Sequence, residues 1–308
     1  MRVGWVGLGA MGAPMATCAA RAGLVVSAFD IDPARAELDA GDTYRAVSSI
    51  TDAATGADVL VVMVATPAQV DDVLFGSGQA ADALPAGAVV LVTATVGPDP
   101  MVAWAEQLAA RSVTLLDAPV SGGVTRAGNG DLLIMVGGPD HAVQRCARLL
   151  DAIAGNAPQV GKRAGDGQRV KLVNQLLCGI HIAAAGEALA LAEALGLDPA
   201  ACLEVIRHGA AASFMLDDRG PRMVNETFEP ARSALNIFVK DMGLVVDAAR
   251  QASLEVPLAI AAEGLFSTGR LAGLGDRDDS SLISVQRRYA RSSASCTSPE
   301  IRPTYSPE

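Results

Sequence analysis

Lys171 and Asn174 lie three residues apart near the start of an alanine- and leucine-rich stretch that runs from Gln168 to about Leu195. The stretch has no proline and many strong helix formers, so it predicts a single helix roughly 40 Å long. A spacing of three residues places the amine and the amide on one face of that helix. An amine on that face can act as a catalytic base, and the neighbouring amide can donate or accept hydrogen bonds. The other interpretation is that Lys171 is a surface residue at a helix start and Asn174 is a cap.

A serine and two glycines, Ser121, Gly122 and Gly123, follow a short apolar segment that ends at Ala118. The serine hydroxyl and the backbone N–H groups of the two flexible residues bring several hydrogen-bond donors to one place. We expect such a group of donors to bind a carboxylate. An ordinary surface loop is the alternative that these residues leave open.

The first thirty residues predict a dinucleotide-binding turn. An apolar strand at Arg2–Val6 leads into a glycine-rich turn, a helix follows from about Ala13, and a second strand, Val25–Phe29, ends at an acid. The turn consists of Gly7, Leu8, Gly9, Ala10, Met11 and Gly12. In this arrangement the first glycine allows the tight turn, the second lets the backbone approach the pyrophosphate, and the third lets helix and strand pack closely. The N-terminus of the helix is then expected to bind the phosphates.

Asp30, at the end of the second predicted strand, indicates which dinucleotide is bound. A carboxylate at this place accepts hydrogen bonds from the adenosine ribose and repels a 2′-phosphate. No arginine follows it directly, so NAD is the expected cofactor in preference to NADP. Two alternatives stay open: Asp30 is only a loop cap, or Asp32 contacts the ribose.

Strands alternate with helices in the first half of the chain, and only helices follow. Further strands are predicted at Val59–Val64, Val89–Thr93, Thr114–Ala118 and Leu132–Val136. The pattern predicts an α/β fold with a Rossmann-type doubly wound, mostly parallel sheet in residues 1–164. The long helix joins this sheet to an all-α C-terminal domain in residues 165–288, and a polar tail at 289–308 is expected to be disordered.

Ligands of a doubly wound sheet bind past the carboxyl ends of its strands. That rule places Val64, Ala65, Thr95 and the segment after Asp117 at the predicted cofactor crevice. For Thr95 an ordinary helix cap is an equally open interpretation.

Composition limits the classes of partner. The 308 residues carry a net charge of −10, so neither a nucleic acid nor an anionic membrane is an expected partner, whereas a small anionic metabolite is not excluded. Five scattered cysteines lack the spacing of metal ligands, which predicts no metal site and a reducing compartment. No signal peptide and no uninterrupted apolar span are found, so we expect a cytoplasmic protein.

The long helix is apolar on both sides, which predicts a homodimer or homotetramer.

Four sequence features occur together: GLGAMG, DAPVSGG, the pair Lys171 and Asn174, and FVKD around Lys240. In this combination the chain resembles the β-hydroxyacid dehydrogenase family, which includes 3-hydroxyisobutyrate dehydrogenases and tartronate semialdehyde reductases. The resemblance extends from Met1 to about Arg288. Two departures are clear: many members have Leu-Pro where this chain has Val64-Ala65, and Asp-x-Ser-Thr where it has Val92 to Thr95.

The resemblance implies a role for each matching residue. Lys171 corresponds to the catalytic lysine, and Asn174 to an asparagine that orients the substrate. The segment Ser121–Gly123 corresponds to the loop that binds the substrate carboxylate. Thr95 corresponds to a threonine that contacts the cofactor, and Lys240 to a lysine near the nicotinamide.

The implied reaction is the NAD-dependent oxidation of a small hydroxy acid, with a lysine as general acid and base. L-threonate, oxidised at its 2-hydroxyl group, is the expected substrate. Oxidation of 3-hydroxyisobutyrate and reduction of tartronate semialdehyde are the alternatives within the class. A non-catalytic dinucleotide-binding scaffold is the alternative of another class, and the presence of the lysine argues against it.

Overall fold

The computed structural model describes residues 1–38 and 44–294. The chain forms two compact units, one of Met1–Gln175 and one that begins at Leu176. The predicted boundary was residue 164, before the long helix. The observed boundary lies inside that helix instead. The cause is close packing of the first helical turn on the sheet: a Cβ atom on Gly167 would lie 2.3 Å from the carbonyl oxygen of Met135.

The first unit alternates strands and helices. Its strands are β1 (Arg2–Val6), β2 (Val25–Phe29), β3 (Arg45–Ala46), β4 (Val59–Val62), β5 (Val89–Val92), β6 (Thr114–Asp117), β7 (Val120–Ser121), β8 (Leu132–Ile134), β9 (Val136–Gly137), β10 (Ala154–Asn156) and β11 (Gln159–Gly161). Its helices are α1 (Gly12–Arg21), α2 (Pro33–Leu38), α3 (Ile50–Ala54), α4 (Pro67–Leu74), α5 (Ala80–Ala83), α6 (Pro98–Ala109), α7 (Gly123–Gly128), α8 (Asp140–Ile153) and the first turns of α9 (Asp166–Ala194).

The larger sheet has the strand order β11-β9-β6-β5-β4-β1-β2-β3. All pairs from β3 across to β6 are parallel, and β6 pairs with β9 in the antiparallel direction. The chain runs outward from β1 to β3 on one side and from β4 to β6 on the other. The strand order therefore reverses between β1 and β4, where open sheets of this kind form a ligand crevice. The predicted Rossmann-type sheet is confirmed.

The central strands are buried on both faces of the sheet. In β4, Val59 and Val61 pack into one apolar core while Leu60 and Val62 pack into another. Because neighbouring side chains point to opposite faces, a strand between two helical layers must be apolar at every position. The continuous apolar runs of the sequence are explained by this arrangement.

The strand predicted at Leu132–Val136 is corrected. It forms two short strands in different sheets: β8 pairs with β7 and β10 in the small sheet, and β9 lies between β11 and β6 in the larger sheet. Between them the N–H of Met135 donates to the carbonyl oxygen of Pro119 at 3.0 Å. This bond turns the chain from one sheet into the other, a tertiary contact that an apolar run does not predict.

The second unit is helical throughout its described part. It contains the remainder of α9, α10 (Pro199–Ile206), α11 (Phe214–Val224), α12 (Leu235–Gln251), α13 (Pro257–Leu271), a 3-10 helix (Asp279–Leu282) and α14 (Ile283–Ala294). α11 is not evident from the sequence, because Pro221 lies within it and proline normally interrupts a helix. Its start is nevertheless well capped, since the side chain of Ser213 accepts a hydrogen bond from the N–H of Leu216 at 3.0 Å.

The last helix is longer than predicted. α14 continues through residues 289–294, which corrects the predicted start of a disordered tail at residue 289. Those six residues contain neither proline nor glycine, so nothing in the local sequence ends the helix earlier. The rest of the predicted tail, 295–308, lies outside the described residues.

The long helix α9 also corrects the statement that no segment could cross a bilayer. Its most apolar window has a mean hydropathy of 1.5, and by length and composition alone the helix could span a membrane. Half of that window is buried within the protein. A single helix of this kind is weak evidence for a membrane span, because core helices of soluble proteins meet the same criteria.

Candidate active site

Four of the predicted cofactor-binding residues in the first unit lie at the carboxyl ends of strands of the larger sheet. Asp30 follows β2, Gly7 follows β1, Val64 follows β4 and Thr95 follows β5, and these four strands are neighbours in that order. Three strand intervals of about 4.8 Å separate the first strand of the row from the last, which is roughly 14 Å. An extended ligand can therefore contact all of these positions in sequence.

The three glycines of the first turn are required for three different reasons. Gly7 has a φ of +98°, and a Cβ atom there would lie 2.2 Å from the carbonyl oxygen of Met63. A Cβ on Gly12 would lie 2.0 Å from the carbonyl oxygen of Gly7, so the start of α1 can approach the turn only without a side chain. A Cβ on Gly9 would meet only the tip of the Arg35 side chain, at 3.8 Å. Packing within the protein does not require a glycine at residue 9, whereas the approach of a pyrophosphate does.

Replacing Gly9 with alanine is therefore expected to weaken NAD binding at least tenfold without lowering the melting temperature. The added methyl group occupies the space where the backbone meets the dinucleotide. Isothermal titration of NAD and thermal unfolding would measure the two effects. Gly264→Ala is the matched control, because Gly264 lies on α13 with nothing within 4 Å of its Cβ position. Unchanged NAD affinity in the Gly9 variant would contradict the assignment of this turn.

Asp30 is buried, and both of its carboxylate oxygens accept backbone hydrogen bonds. Oδ2 accepts from the N–H of Leu8 at 2.6 Å, and Oδ1 accepts from the N–H of Asp32 at 2.9 Å. Asp30 therefore does cap the loops on either side of it, as the first alternative stated. This capping does not compete with ribose binding, because an ionised carboxylate offers about four acceptor positions.

Two residues near Asp30 were missed in the sequence analysis. Arg35 approaches the open side of Gly9 and forms a half-exposed ion pair with Asp32 at 3.4 Å. Ile31 is 91% exposed, immediately beside the carboxylate. A cation near a phosphate and an apolar side chain near an adenine ring are suitable partners for a dinucleotide. An exposed isoleucine directly after the strand-end acid is the signal that could have identified the second.

The crevice residues of β4 and β5 are partly accessible. The N–H groups of Ala65 and Thr66 donate to Oε1 of Gln69 in a capping box that begins α4, and this fixes the backbone after Val64. Thr95 is half-buried, and Gly97 is the N-cap of α6. The interpretation of Thr95 as the cap of that helix is therefore wrong.

The Ser-Gly-Gly segment follows the carboxyl end of β6, from which two intervening residues and the first residue of the short strand β7 separate it. Ser121 ends β7, opposite Leu133 in the small sheet. Gly122 and Gly123 have φ values of +140° and +74°, conformations that residues with a side chain rarely adopt. The two glycines are thus needed for the course of the backbone, and Gly123 is exposed.

Lys171 and Asn174 lie in the part of α9 that belongs to the first unit. Lys171 is only 5% exposed, so it is not a surface residue. Asn174 lies more than two turns after the start of α9, so it is not an N-cap; its Nδ2 donates to Oε1 of Gln175 at 2.9 Å. The interpretations of Lys171 as a surface residue and of Asn174 as a helix cap are therefore both contradicted.

Gln168, one turn before Lys171, was also missed as a site residue. Its side chain is fully buried and contacts both the chain after β5 and Asp117 at the end of β6. Burial raises the pKa of the Asp117 carboxyl to about 6, although hydrogen bonds from the backbone and side chain of Gln168 and from the N–H groups of Gly165 and Gly167 favour its ionised form. This network connects α9 to two of the strand ends that hold predicted site residues.

Lys240 lies in the second unit, in the second turn of α12. Its Nζ forms an ion pair with Oδ1 of Asp241 at 3.0 Å. Asp241 is buried, whereas the side chain of Lys240 is 27% exposed. The proposed contact of Lys240 with the cofactor stays a prediction.

Two family models match successive parts of the chain. Residues 2–161 match the family described as the NAD binding domain of 6-phosphogluconate dehydrogenase. Residues 165–286 match the family described as the NAD-binding region of NADP-dependent 3-hydroxyisobutyrate dehydrogenase.

Individual relatives cover nearly the whole chain. The L-threonate dehydrogenase of Cupriavidus necator is 40% identical over 92% of this chain and 95% of its own length. The enzyme of that name from Escherichia coli is 38% identical over 92% of this chain and 94% of its own length. The crystal structure of a 3-hydroxyisobutyrate dehydrogenase from Salmonella typhimurium superimposes with a TM-score of 0.88 at 37% identity, covering 92% of this chain and 99% of that one. The chain therefore belongs to the 3-hydroxyisobutyrate dehydrogenase family of NAD-binding hydroxyacid dehydrogenases.

Proposed function

We propose that this enzyme oxidises L-threonate at its 2-hydroxyl group with NAD as the acceptor. The observation that carries this proposal is the 40% identity to an L-threonate dehydrogenase across 92% of the chain. The site adds support, because it offers a buried amine, an amide and a glycine-rich segment suited to a small anionic hydroxy acid.

Lys171 is the proposed general base. NAD, when bound, supplies the acceptor for a hydride. The C2–H bond of the substrate breaks with its electron pair, and the hydroxyl proton passes to Nζ of Lys171, which leaves a 2-oxo acid. In the reverse direction the ammonium group returns the proton. Because Lys171 is almost fully buried, bulk water does not compete for this exchange.

The other residues hold the substrate in one geometry. The Ser121 hydroxyl and the N–H groups of Gly122 and Gly123 would bind the carboxylate, and Asn174 would bind a hydroxyl group. A fixed carboxylate places C2 at a defined distance from the amine. Such orientation can lower the barrier by several kcal/mol, since base and alcohol no longer have to find each other.

A second candidate reaction is oxidation of 3-hydroxyisobutyrate, which is favoured by the likeness to the Salmonella typhimurium structure of that name. NADH formation from L-threonate, glycerate, 3-hydroxyisobutyrate and 4-hydroxybutyrate distinguishes the two candidates, with tartronate semialdehyde assayed in the reverse direction. We expect kcat/KM for L-threonate to exceed that for 3-hydroxyisobutyrate by about 100-fold or more, because a site that binds hydroxyl groups rejects analogues that lack them. A higher value for 3-hydroxyisobutyrate would overturn the proposed substrate.

Replacing Asp30 with serine is expected to reduce the preference for NAD over NADP by about 10- to 100-fold. A hydrogen bond to a charged group contributes about 1.5–3 kcal/mol, and the repulsion of a 2′-phosphate is lost as well. The ratio of kcat/KM for the two cofactors measures this change. Asp32→Ser is the matched control, because its carboxylate is half-exposed. A loss of preference in the Asp32 variant alone would make Asp32 the residue that contacts the ribose.

A homodimer or homotetramer in a reducing, cytoplasmic compartment completes the proposal. Val170, Val173 and Leu177 are 39%, 64% and 50% exposed along one side of α9. Spacings of three and four residues make them a continuous apolar stripe, which a second subunit would cover. Light scattering at physiological salt would show a mass of two or four chains of 31.4 kDa, and a monomer would contradict the proposal.

A further inference from the structure

The side chain of Gln168 uses its complete hydrogen-bonding capacity inside the first unit. Oε1 accepts from the N–H groups of Val96 and Gly97 at 3.0 and 3.1 Å. Nε2 donates to the carbonyl oxygen of Ala94 at 2.9 Å and to Oδ1 of Asp117 at 3.0 Å. A glutamine amide offers two donors and an oxygen with two acceptor positions, so all four are occupied.

The backbone of the same residue adds a fifth bond. The N–H of Gln168 donates to Oδ2 of Asp117 at 2.8 Å, so both oxygens of that carboxylate are bound to one residue. Gln168 and Asp117 are each 0% exposed. Because both side chains are inaccessible to water, the protein's own backbone and side-chain groups must satisfy these bonds and fix their geometry.

These bonds join three elements that each carry a site residue. The loop from Ala94 to Gly97 contains Thr95. Asp117 begins the segment that leads to Ser121. Lys171 follows Gln168 by three residues, on the next turn of α9.

We propose that Gln168 is a positioning residue, which fixes the turn of α9 that carries Lys171 relative to the loops of Thr95 and Ser121. This inference rests on the proposed function, because it assumes that Lys171 is the base. Glutamate, asparagine and apolar residues cannot reproduce the four bonds of the Gln168 side chain. Glutamate would present an oxygen to Asp117 and to the carbonyl of Ala94, asparagine is one methylene shorter, and an apolar residue would leave two N–H groups buried without acceptors.

The experiment compares kcat and KM of Gln168→Met with those of wild type, using the hydroxy acid that the wild type oxidises fastest. Methionine has a similar volume but makes none of the four side-chain bonds. We expect kcat to fall about 100-fold while KM for the hydroxy acid changes less than threefold, because a misplacement of about 1 Å lowers the rate to that extent. The deuterium isotope effect on kcat should increase, since hydride transfer becomes slower than product release.

Gln286→Met is the matched control. Gln286 is 7% exposed on α14 of the second unit, and its Nε2 donates to the carbonyl oxygen of Ala183 at 2.7 Å. Loss of this buried amide should lower the melting temperature but leave kcat within threefold of wild type. If Gln168→Met does not fold, Gln168→Asn is judged by the same criteria, since it retains an amide.

Two results would overturn the positioning role alone: a wild-type kcat in a folded Gln168 variant, or equal losses of kcat in the Gln168 and Gln286 variants. A wild-type enzyme that oxidises no hydroxy acid would instead overturn the proposed function, and the positioning role with it. The two failures are thus distinguished by the wild type.

Discussion

Replacement of Lys171 with alanine is expected to lower kcat for the hydroxy acid by about 1,000-fold, within the range that a general acid or base contributes. The reason is that alanine has no amine, so the hydroxyl proton would lose its proposed acceptor. The dissociation constant for NAD should stay within twofold of wild type, because the predicted NAD-binding residues, the glycine turn and Asp30, follow β1 and β2 and are not changed. Steady-state kinetics and a titration of NAD followed by protein fluorescence would measure the two quantities.

Arg169→Ala is the control for the Lys171 variant. Arg169 is a cation two residues earlier on the same helix, but its side chain is 52% exposed and pairs with Asp166. Its removal should leave kcat unchanged. Lys171→Arg is also informative, since a guanidinium keeps the charge but does not release its proton, and it should be as inactive as the alanine variant. Turnover near the wild-type rate in Lys171→Ala would remove Lys171 from the mechanism.

Replacement of Asp279 with alanine is expected to lower the free energy of unfolding by about 3–5 kcal/mol. Asp279 is fully buried and binds Arg219 through two bonds, from Nε to Oδ1 at 3.1 Å and from Nη2 to Oδ2 at 2.9 Å. Burial disfavours the charge of Arg219, yet the charges and hydrogen bonds of Asp279 and Asp218 raise the pKa of its guanidinium overall. Without Asp279 the buried cation would keep, among the described residues, the ion pair with Asp218, whose side chain is 34% exposed.

Urea-induced unfolding at neutral pH would measure this loss. Asp247→Ala is the control: its ion pair with Arg250 is exposed at 64% and 74%, and such surface pairs contribute about 1 kcal/mol or less. A double variant with apolar residues at 219 and 279 should be more stable than Asp279→Ala, because it removes the unpaired charge. A loss below 1 kcal/mol in Asp279→Ala would show that Arg219 finds another partner.

Much of the fold was predictable because local patterns and the final structure agree. The strand, glycine turn, helix, strand and acid that end at Asp30 form as predicted, since each step depends on near neighbours in the chain. The boundaries after α7 were less predictable. The strand at Leu132–Val136 divides because Met135 binds the distant Pro119, and α11 forms although it contains Pro221.

The residue types of the candidate site could be predicted from the sequence, but the hydrogen bonds that join its elements could not. Lys171, Asn174 and Ser121 were assigned to the site from spacing and from family resemblance, and their roles stay predictions. Gln168 could not, because a glutamine in a helical stretch shows no sign that its partners lie 51 to 74 positions away. Only the fold brings Asp117 and the loop after β5 to the first turn of α9.

Transfer of deuterium from L-[2-²H]threonate to NAD tests the central claim most directly. Mass spectrometry of the reduced cofactor would detect the label. The proposed reaction predicts that every molecule of NADH formed carries one deuterium and that a primary isotope effect appears on kcat/KM. Unlabelled NADH, or no NADH at all, would contradict oxidation at C2 of this hydroxy acid.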